Sequence, residues 1–157
     1  THPISFVINP GKTPLKIAAI TLGETIQKQA VFIHLNSKQD SREAISAYLK
    51  QKESATFSLE NSLKDINELS IQLATAKDTK QLEHCIRLHE SFIGNIIQQT
   101  PVKERLFEDF KGAIKSLGGW GGDFIMAASD TLSTAEIKEY FLEKGYPTSF
   151  YYAEMMW

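Results

Sequence analysis

Cysteine is almost missing from this sequence: Cys85 is the only one. No internal disulfide can form, and a lone thiol inside a helical pattern fits a reducing, cytoplasmic setting. Charge of one sign is missing too. Lysine and arginine number 17 against 19 aspartates and glutamates, a formal net charge of −2, which argues against a nucleic-acid partner. No apolar run approaches the roughly 18 residues that cross a bilayer, and the first residues carry no signal-peptide pattern, so no membrane partner is expected. His2, His34, His84 and His89 share no metal-ligand spacing, which leaves no metal site to assign.

What is present is ordinary for one globular domain. The chain has 157 residues, 42% apolar and 23% charged, enough for a hydrophobic core. Thr1-His2-Pro3 leads straight into the strand-like run Ile4–Ile8, and this start reads as a cut within a longer protein. Asn9-Pro10-Gly11-Lys12 is a turn signal, Leu15–Leu22 is a second β-rich run, and Ala30–Leu35 is apolar on both alternating faces except at His34. That last pattern predicts a central strand covered on both sides.

Helices follow. Asp40 or Ser41 can cap a helix that runs through Tyr48 to about Lys52. Leu59, Leu63, Ile66, Ser70 and Leu73 form one helical stripe, and Leu82, Ile86, His89, Ile93 and Ile96 form a second, with a break and cap at Asp78-Thr79. Thr100-Pro101 closes that helix and opens a third segment, with Phe107, Phe110 and Ile114 on one side. The pattern then changes to a strand over Ala113–Leu117, glycines, a strand over Asp123–Ala128, a helix over Thr134–Lys144 capped by Gly145, and a last strand over Thr148–Tyr152. The expected fold class is α+β, an antiparallel sheet with helices on one face. Cys85 reads as core. The cluster Tyr151, Tyr152, Met155, Met156 and Trp157 reads as cover for the sheet edge.

Four glycines crowd into Lys115–Phe124, at Gly118, Gly119, Gly121 and Gly122. Glycine costs backbone entropy, so such a cluster calls for positive φ angles or for close approach of a ligand to the backbone. Consecutive bare N–H groups form a nest that suits phosphate oxygens. A tight hairpin turn is the other reading, and glycine content alone favours the turn. The loop is neither a Walker A sequence nor a dinucleotide fingerprint, because Phe124 stands where the third glycine of the latter belongs.

The segment Gly112–Ala127 resembles the third motif of the GHMP small-molecule kinases. The nearest form is that of phosphomevalonate kinases, roughly G-A-x-x-K-x-S-G-A-G-G-G-D-C-x-x-A. Gly112-Ala113, Gly118, Gly121-Gly122, Asp123 and Ala127 fall in register, while Lys115 and Ser116 stand one place out of step. A bacterial branch called the GYDIA family carries a tryptophan in this loop, as Trp120 does here. The corner Lys38–Arg42 is similar to the strand-to-helix corner of the same kinases. The resemblance runs from Ala30 onward, with only the loop specific. Two departures stand out: Trp120 replaces a glycine, and Leu117 replaces a small polar residue.

The resemblance implies a ferredoxin-like GHMP kinase C-terminal domain over residues 30–157, with residues 1–29 a strand segment completing the kinase's N-terminal domain. It implies an ATP-dependent kinase acting on a small metabolite such as mevalonate or phosphomevalonate. ATP and Mg²⁺ would be held mainly by the N-terminal half, which would be this chain's partner. No catalytic residue is assigned here, and the segment alone is expected to be incomplete for catalysis. The implied substrate- or phosphate-binding residues are Ser116, Gly118, Gly119, Trp120, Gly121, Gly122 and Asp123. Asp123 reads either as a substrate-facing carboxylate or as a solvated strand start. Lys115 and Lys38 read as phosphate contacts or, more ordinarily, as solvated lysines. His89 reads as a satisfied histidine at the core's edge. The alternative is a non-catalytic binding or regulatory module that retains the fold only.

Overall fold

The computed structural model describes residues 4–9, 12–19, 21–37, 41–54, 58–118, 120 and 122–155. Of the positions named above, Thr1, His2, Pro3, Pro10, Gly11, Lys38, Asp40, Gly119, Gly121, Met156 and Trp157 lie outside the described residues.

Strands β1 (Ile4–Asn9) and β2 (Lys12–Ala19) form an antiparallel two-stranded sheet whose register shifts between Val7 and Asn9. The rest of the chain builds a separate four-stranded sheet from β3 (Val31–His34), β4 (Ala113–Leu117), β5 (Phe124–Ala128) and β6 (Ser149–Tyr151), in the order β4-β5-β3-β6. Every neighbouring pair in it is antiparallel. The helices are α1 (Glu24–Gln29), α2 (Ser41–Lys52), α3 (Leu59–Ala74), α4 (Thr79–Ile97), α5 (Val102–Leu106) and α6 (Thr134–Glu143), and a 3₁₀ turn covers Tyr152–Met155. None of the described helices is long and apolar enough to cross a membrane.

The architecture is α+β as expected, but the helices are not confined to one face. Side chains alternate across each strand, and here both sets are apolar. Val31, Ile33, Ile125, Ala127 and Ile114 join α5 and α6 in one core, with Val102, Ile137 and Phe141. Ala113, Met126 and Ala128 join α1 and α4 in the other, with Ile26, Leu82 and Ile86, and Phe32 packs against it. A sheet apolar on both sides has to be covered on both sides, so the one-face expectation is corrected. The expected central strand is β3, which lies between β5 and β6.

Two further expectations change. Residues 1–29 were read as strands, but Glu24–Gln29 is helical and its Ile26 is buried in the α4-side core. Lys28 reaches back to Glu24 at 2.6 Å to support that short helix. The third helical segment stops at Leu106, with Pro101 at its N-cap rather than inside its first turn. Phe107 and Phe110 enter the core from the turn that follows, where the Phe110 N–H donates to the Phe107 carbonyl, and Ile114 belongs to β4.

The other boundaries follow their local chemistry. Asp78 caps α4 by accepting from the Gln81 N–H at 2.8 Å. Ser133 and Glu136 form a capping box on α6, and Gly145 takes the left-handed conformation that ends it. Cys85 is buried, as expected. The α3 stripe is less buried than its periodicity implies: Leu59 and Leu63 are exposed, and only Leu73 packs against the core.

Candidate functional site

Strand β4 runs along α4, and this contact assembles the polar group of interest. Its hydrogen-bonded partner β5 meets it from Ala113 opposite Ala128 to Leu117 opposite Phe124, so residues 118–123 are the loop that joins the two. On α4, His89, Ile93 and Ile97 recur every four residues and form one stripe. Lys115 comes up against this stripe from the strand. Its Nζ lies 3.2 Å from His89 Nδ1 and 3.4 Å from the Ser116 carbonyl. An ammonium can only donate, so Nδ1 accepts and the imidazole proton sits on Nε2.

The Lys115 side chain is 16% exposed, which corrects the solvated reading. Burial holds its pKa below the ordinary lysine range, and the carboxylate of Glu90 only partly counters this. Glu90 is 3% exposed. Its Oε2 accepts from the Ser116 hydroxyl at 2.7 Å, while Oε1 lies 3.7 Å from Lys115 Nζ and 3.9 Å from His89 Nδ1. At those separations Oε1 has no hydrogen-bond partner among the described residues. The attraction to Lys115 is therefore one of charge across a gap, not a closed ion pair.

Trp120 lies against the C-terminal turn of α4. A Cβ built on Gly94 would approach the Gln99 carbonyl oxygen to 2.7 Å and the indole Cη2 to 3.2 Å. Glycine at position 94 is what lets the helix end and the ring meet. The helix turns there through Gln98 in the left-handed conformation, and both the Gln98 and Gln99 N–H groups donate to the Gly94 carbonyl. The indole Nε1 is buried and has no hydrogen-bond partner among the described residues.

These residues border a cleft of about 550 Å³, within the roughly 300–1,000 Å³ of small-molecule sites. Ala44, Ile45 and Tyr48 of α2 form one wall, and His89, Ile93 and Ile97 of α4 form another. Lys115, Ser116, Leu117, Gly118 and Trp120 form the third. The wall is mainly apolar, with lysine and histidine at one end. A neighbouring depression of about 640 Å³ lies over Glu43, Ser46, Lys50 and Gln98. Those four side chains are exposed.

The loop residues chosen from the sequence divide. Ser116, Gly118 and Trp120 border the cleft, and Gly118 takes the left-handed φ of +65°. Gly122 is buried and Asp123 exposed, both outside the lining, and the Asp123 carbonyl accepts from the Leu35 N–H at 2.7 Å. Gly119 and Gly121 lie outside the described residues. His89 is satisfied, as read from the sequence, but its partner is Lys115 and it faces the cleft. Glu90 was missed altogether. The available signal was Glu83 and Glu90, seven residues apart on a helix side shared with Leu82 and Ile86. Both are buried, and Glu83 accepts from the Asp130 N–H at 2.7 Å.

No three acidic, imidazole or thiol side chains among the described residues come together as a metal site.

No protein-family model matches the sequence, and no curated protein does. Among solved structures, the crystal structure of a Lin0012 protein from Listeria innocua is similar, with a TM-score of 0.58 and 23% sequence identity. The match covers 85% of this chain and 40% of that one. At this identity the likeness carries the fold alone, and this chain spans under half the length of that protein.

Proposed function

We propose that this chain is the substrate-side domain of an ATP-dependent small-molecule kinase of the GHMP type, acting on an acceptor such as mevalonate or phosphomevalonate. The observation that carries the reading is the placement of the glycine-rich loop. It joins β4 to β5, and its first residues, with Trp120, border a cleft that holds a lysine and a histidine. The order β4-β5-β3-β6, with helices between β3 and β4 and between β5 and β6, supports a ferredoxin-like connectivity. The cationic end is chemically suited to a phosphorylated or carboxylated acceptor. ATP and Mg²⁺ belong to the N-terminal half in this reading.

The test uses the full-length protein that contains this chain. With ATP and Mg²⁺ it is expected to phosphorylate mevalonate or phosphomevalonate, and to gain thermal stability with the acceptor it uses. Absence of transfer to either acceptor, with no shift from ATP, removes the reading.

One observation favours a second reading, a binding or regulatory module without transfer chemistry. Ser116 gives its hydroxyl to buried Glu90, and Trp120 packs on Gly94. These loop side chains are engaged with the domain's own body. ATP-independent binding of a metabolite by the full-length protein, without turnover, is the result that selects it.

A further inference from the structure

The cleft has a composition that specifies a kind of ligand. Among the described residues, its lining holds one lysine and one histidine and no acidic side chain. Ile45, Ile93, Ile97 and Leu117 supply an apolar wall. Lys115 is largely withdrawn from water; His89 Nδ1 and the Ser116 carbonyl accept from it, and Glu90 Oε1 stands 3.7 Å away, beyond a hydrogen bond. A buried ammonium in that state is under-compensated and gains from a further acceptor oxygen. The buried Trp120 Nε1, which can only donate, stands beside the same cleft with no partner among the described residues.

We propose that the cleft between α2, α4 and β4 binds a small amphiphilic anion, with its acidic headgroup on Lys115 and a short aliphatic body against Ile93, Ile97 and Ile45. Carboxylate and phosphate heads share the needed chemistry. In the kinase reading this cleft is the acceptor's place, and that assignment alone rests on the reading; the binding chemistry stands without it. His89 Nδ1 lies 3.2 Å from the ammonium and borders the same cleft.

The experiment is calorimetric titration of this chain, without ATP, with three probes of similar body: 4-methylpentanoate, 3-methylbutyl phosphate and 3-methylbutanol. Saturable binding of one or both anions, at least about tenfold tighter than the alcohol, is expected from a charge-assisted contact. Whichever anion binds better identifies the head. Equal affinity for the alcohol, or no saturable binding of either anion, overturns the proposal.

Lys115→Met is expected to abolish the preference for the anion. Because that change strands Glu90, a second variant guards the test. Ile45→Glu places a like charge at the cleft mouth on a residue 54% exposed, so the fold is retained. It is expected to weaken anion binding about tenfold more than it weakens the alcohol, which loses only the Ile45 contact. Unchanged anion binding in Ile45→Glu overturns the proposal. Transfer by the full-length protein that survives both substitutions sinks this site and leaves the kinase reading standing. Anion binding without transfer does the reverse.

Discussion

The two faces of the four-stranded sheet are packed by different rules. The α6 face is a dry aromatic core. Phe141 meets Phe107 edge-on at 5.0 Å and Phe110 at 5.4 Å, and Tyr140 and Tyr146 close its margins. The α4 face is aliphatic near Ile26, Leu82 and Ile86. Towards the end of α4 it becomes polar, where Lys115, His89, Glu90 and Ser116 gather with two unmatched atoms. A face that buries unmatched polar atoms gives up stability that an apolar face keeps. The first face is an apolar core, and the second borders the candidate cleft.

The strongest way to break this comparison is to cut into the dry face. Phe141→Ala removes a fully buried ring and is expected to cost about 3–5 kcal/mol. Leu142→Ala next to it, on an exposed residue, is expected to change stability by no more than about 0.5 kcal/mol. Urea denaturation measures both. A Phe141→Ala loss below about 1 kcal/mol contradicts the division of labour.

A smaller effect probes the polar face. Glu90→Leu leaves Lys115 buried without its carboxylate and Ser116 without its acceptor, and is expected to cost about 1–3 kcal/mol. Combining it with Lys115→Met removes both charges and is expected to restore most of the loss, since an apolar pair of similar volume often replaces a buried ion pair without penalty. The double-mutant cycle gives the coupling directly. Additive losses would mean that the two groups act separately.

Much of the dry face was legible in the sequence and little of the polar face was. The strands over Ala113–Leu117 and Phe124–Ala128, the helix ending at Gly145 and the cap at Asp78 are each written in a few adjacent residues. Local chemistry decides them. Two-sided covering of the sheet was visible at Ala30–Leu35, but which helices lie on which side is a tertiary choice. The cleft is less local still: Ser116 and Glu90 meet across 26 residues of sequence. In isolation Lys115 looks like any strand lysine and Glu90 like any helix glutamate. Only the packing of α4 on β4 makes them partners. The glycine loop lies beside the cleft, yet Glu90 and His89 lie on α4, outside the motif.

Gly94→Ala tests how the polar face is closed. The new methyl would stand 2.7 Å from a backbone oxygen, which a side-chain rotation cannot relieve. The end of α4 has to move, at a cost of about 1 kcal/mol or somewhat more. Trp120 is expected to shift with it, seen as a change in the environment of the indole. An unchanged midpoint in urea and an unchanged indole signal would mean that this contact does not hold the loop.

The finest contrast lies in alkaline pH, where the two faces respond with opposite sign. Burial first, and then the bond it donates to Asp109, hold the Tyr140 phenol well above its ordinary value of about 10. As pH rises past that value the unfolded chain loses the proton first, so the contribution of the dry face falls. Lys115 behaves in reverse. Burial depresses its pKa, so between its folded value and the ordinary lysine value of about 10.4 the unfolded chain binds more protons and stability rises with pH. His89, Glu90 and the Ser116 hydroxyl and carbonyl are the polar groups around that ammonium. Tyr140→Phe is expected to remove the alkaline loss and Lys115→Met the alkaline gain, read as melting temperature between about pH 8 and pH 11. If both substitutions change the slope in the same direction, the two faces do not differ in the way their burial and charge require.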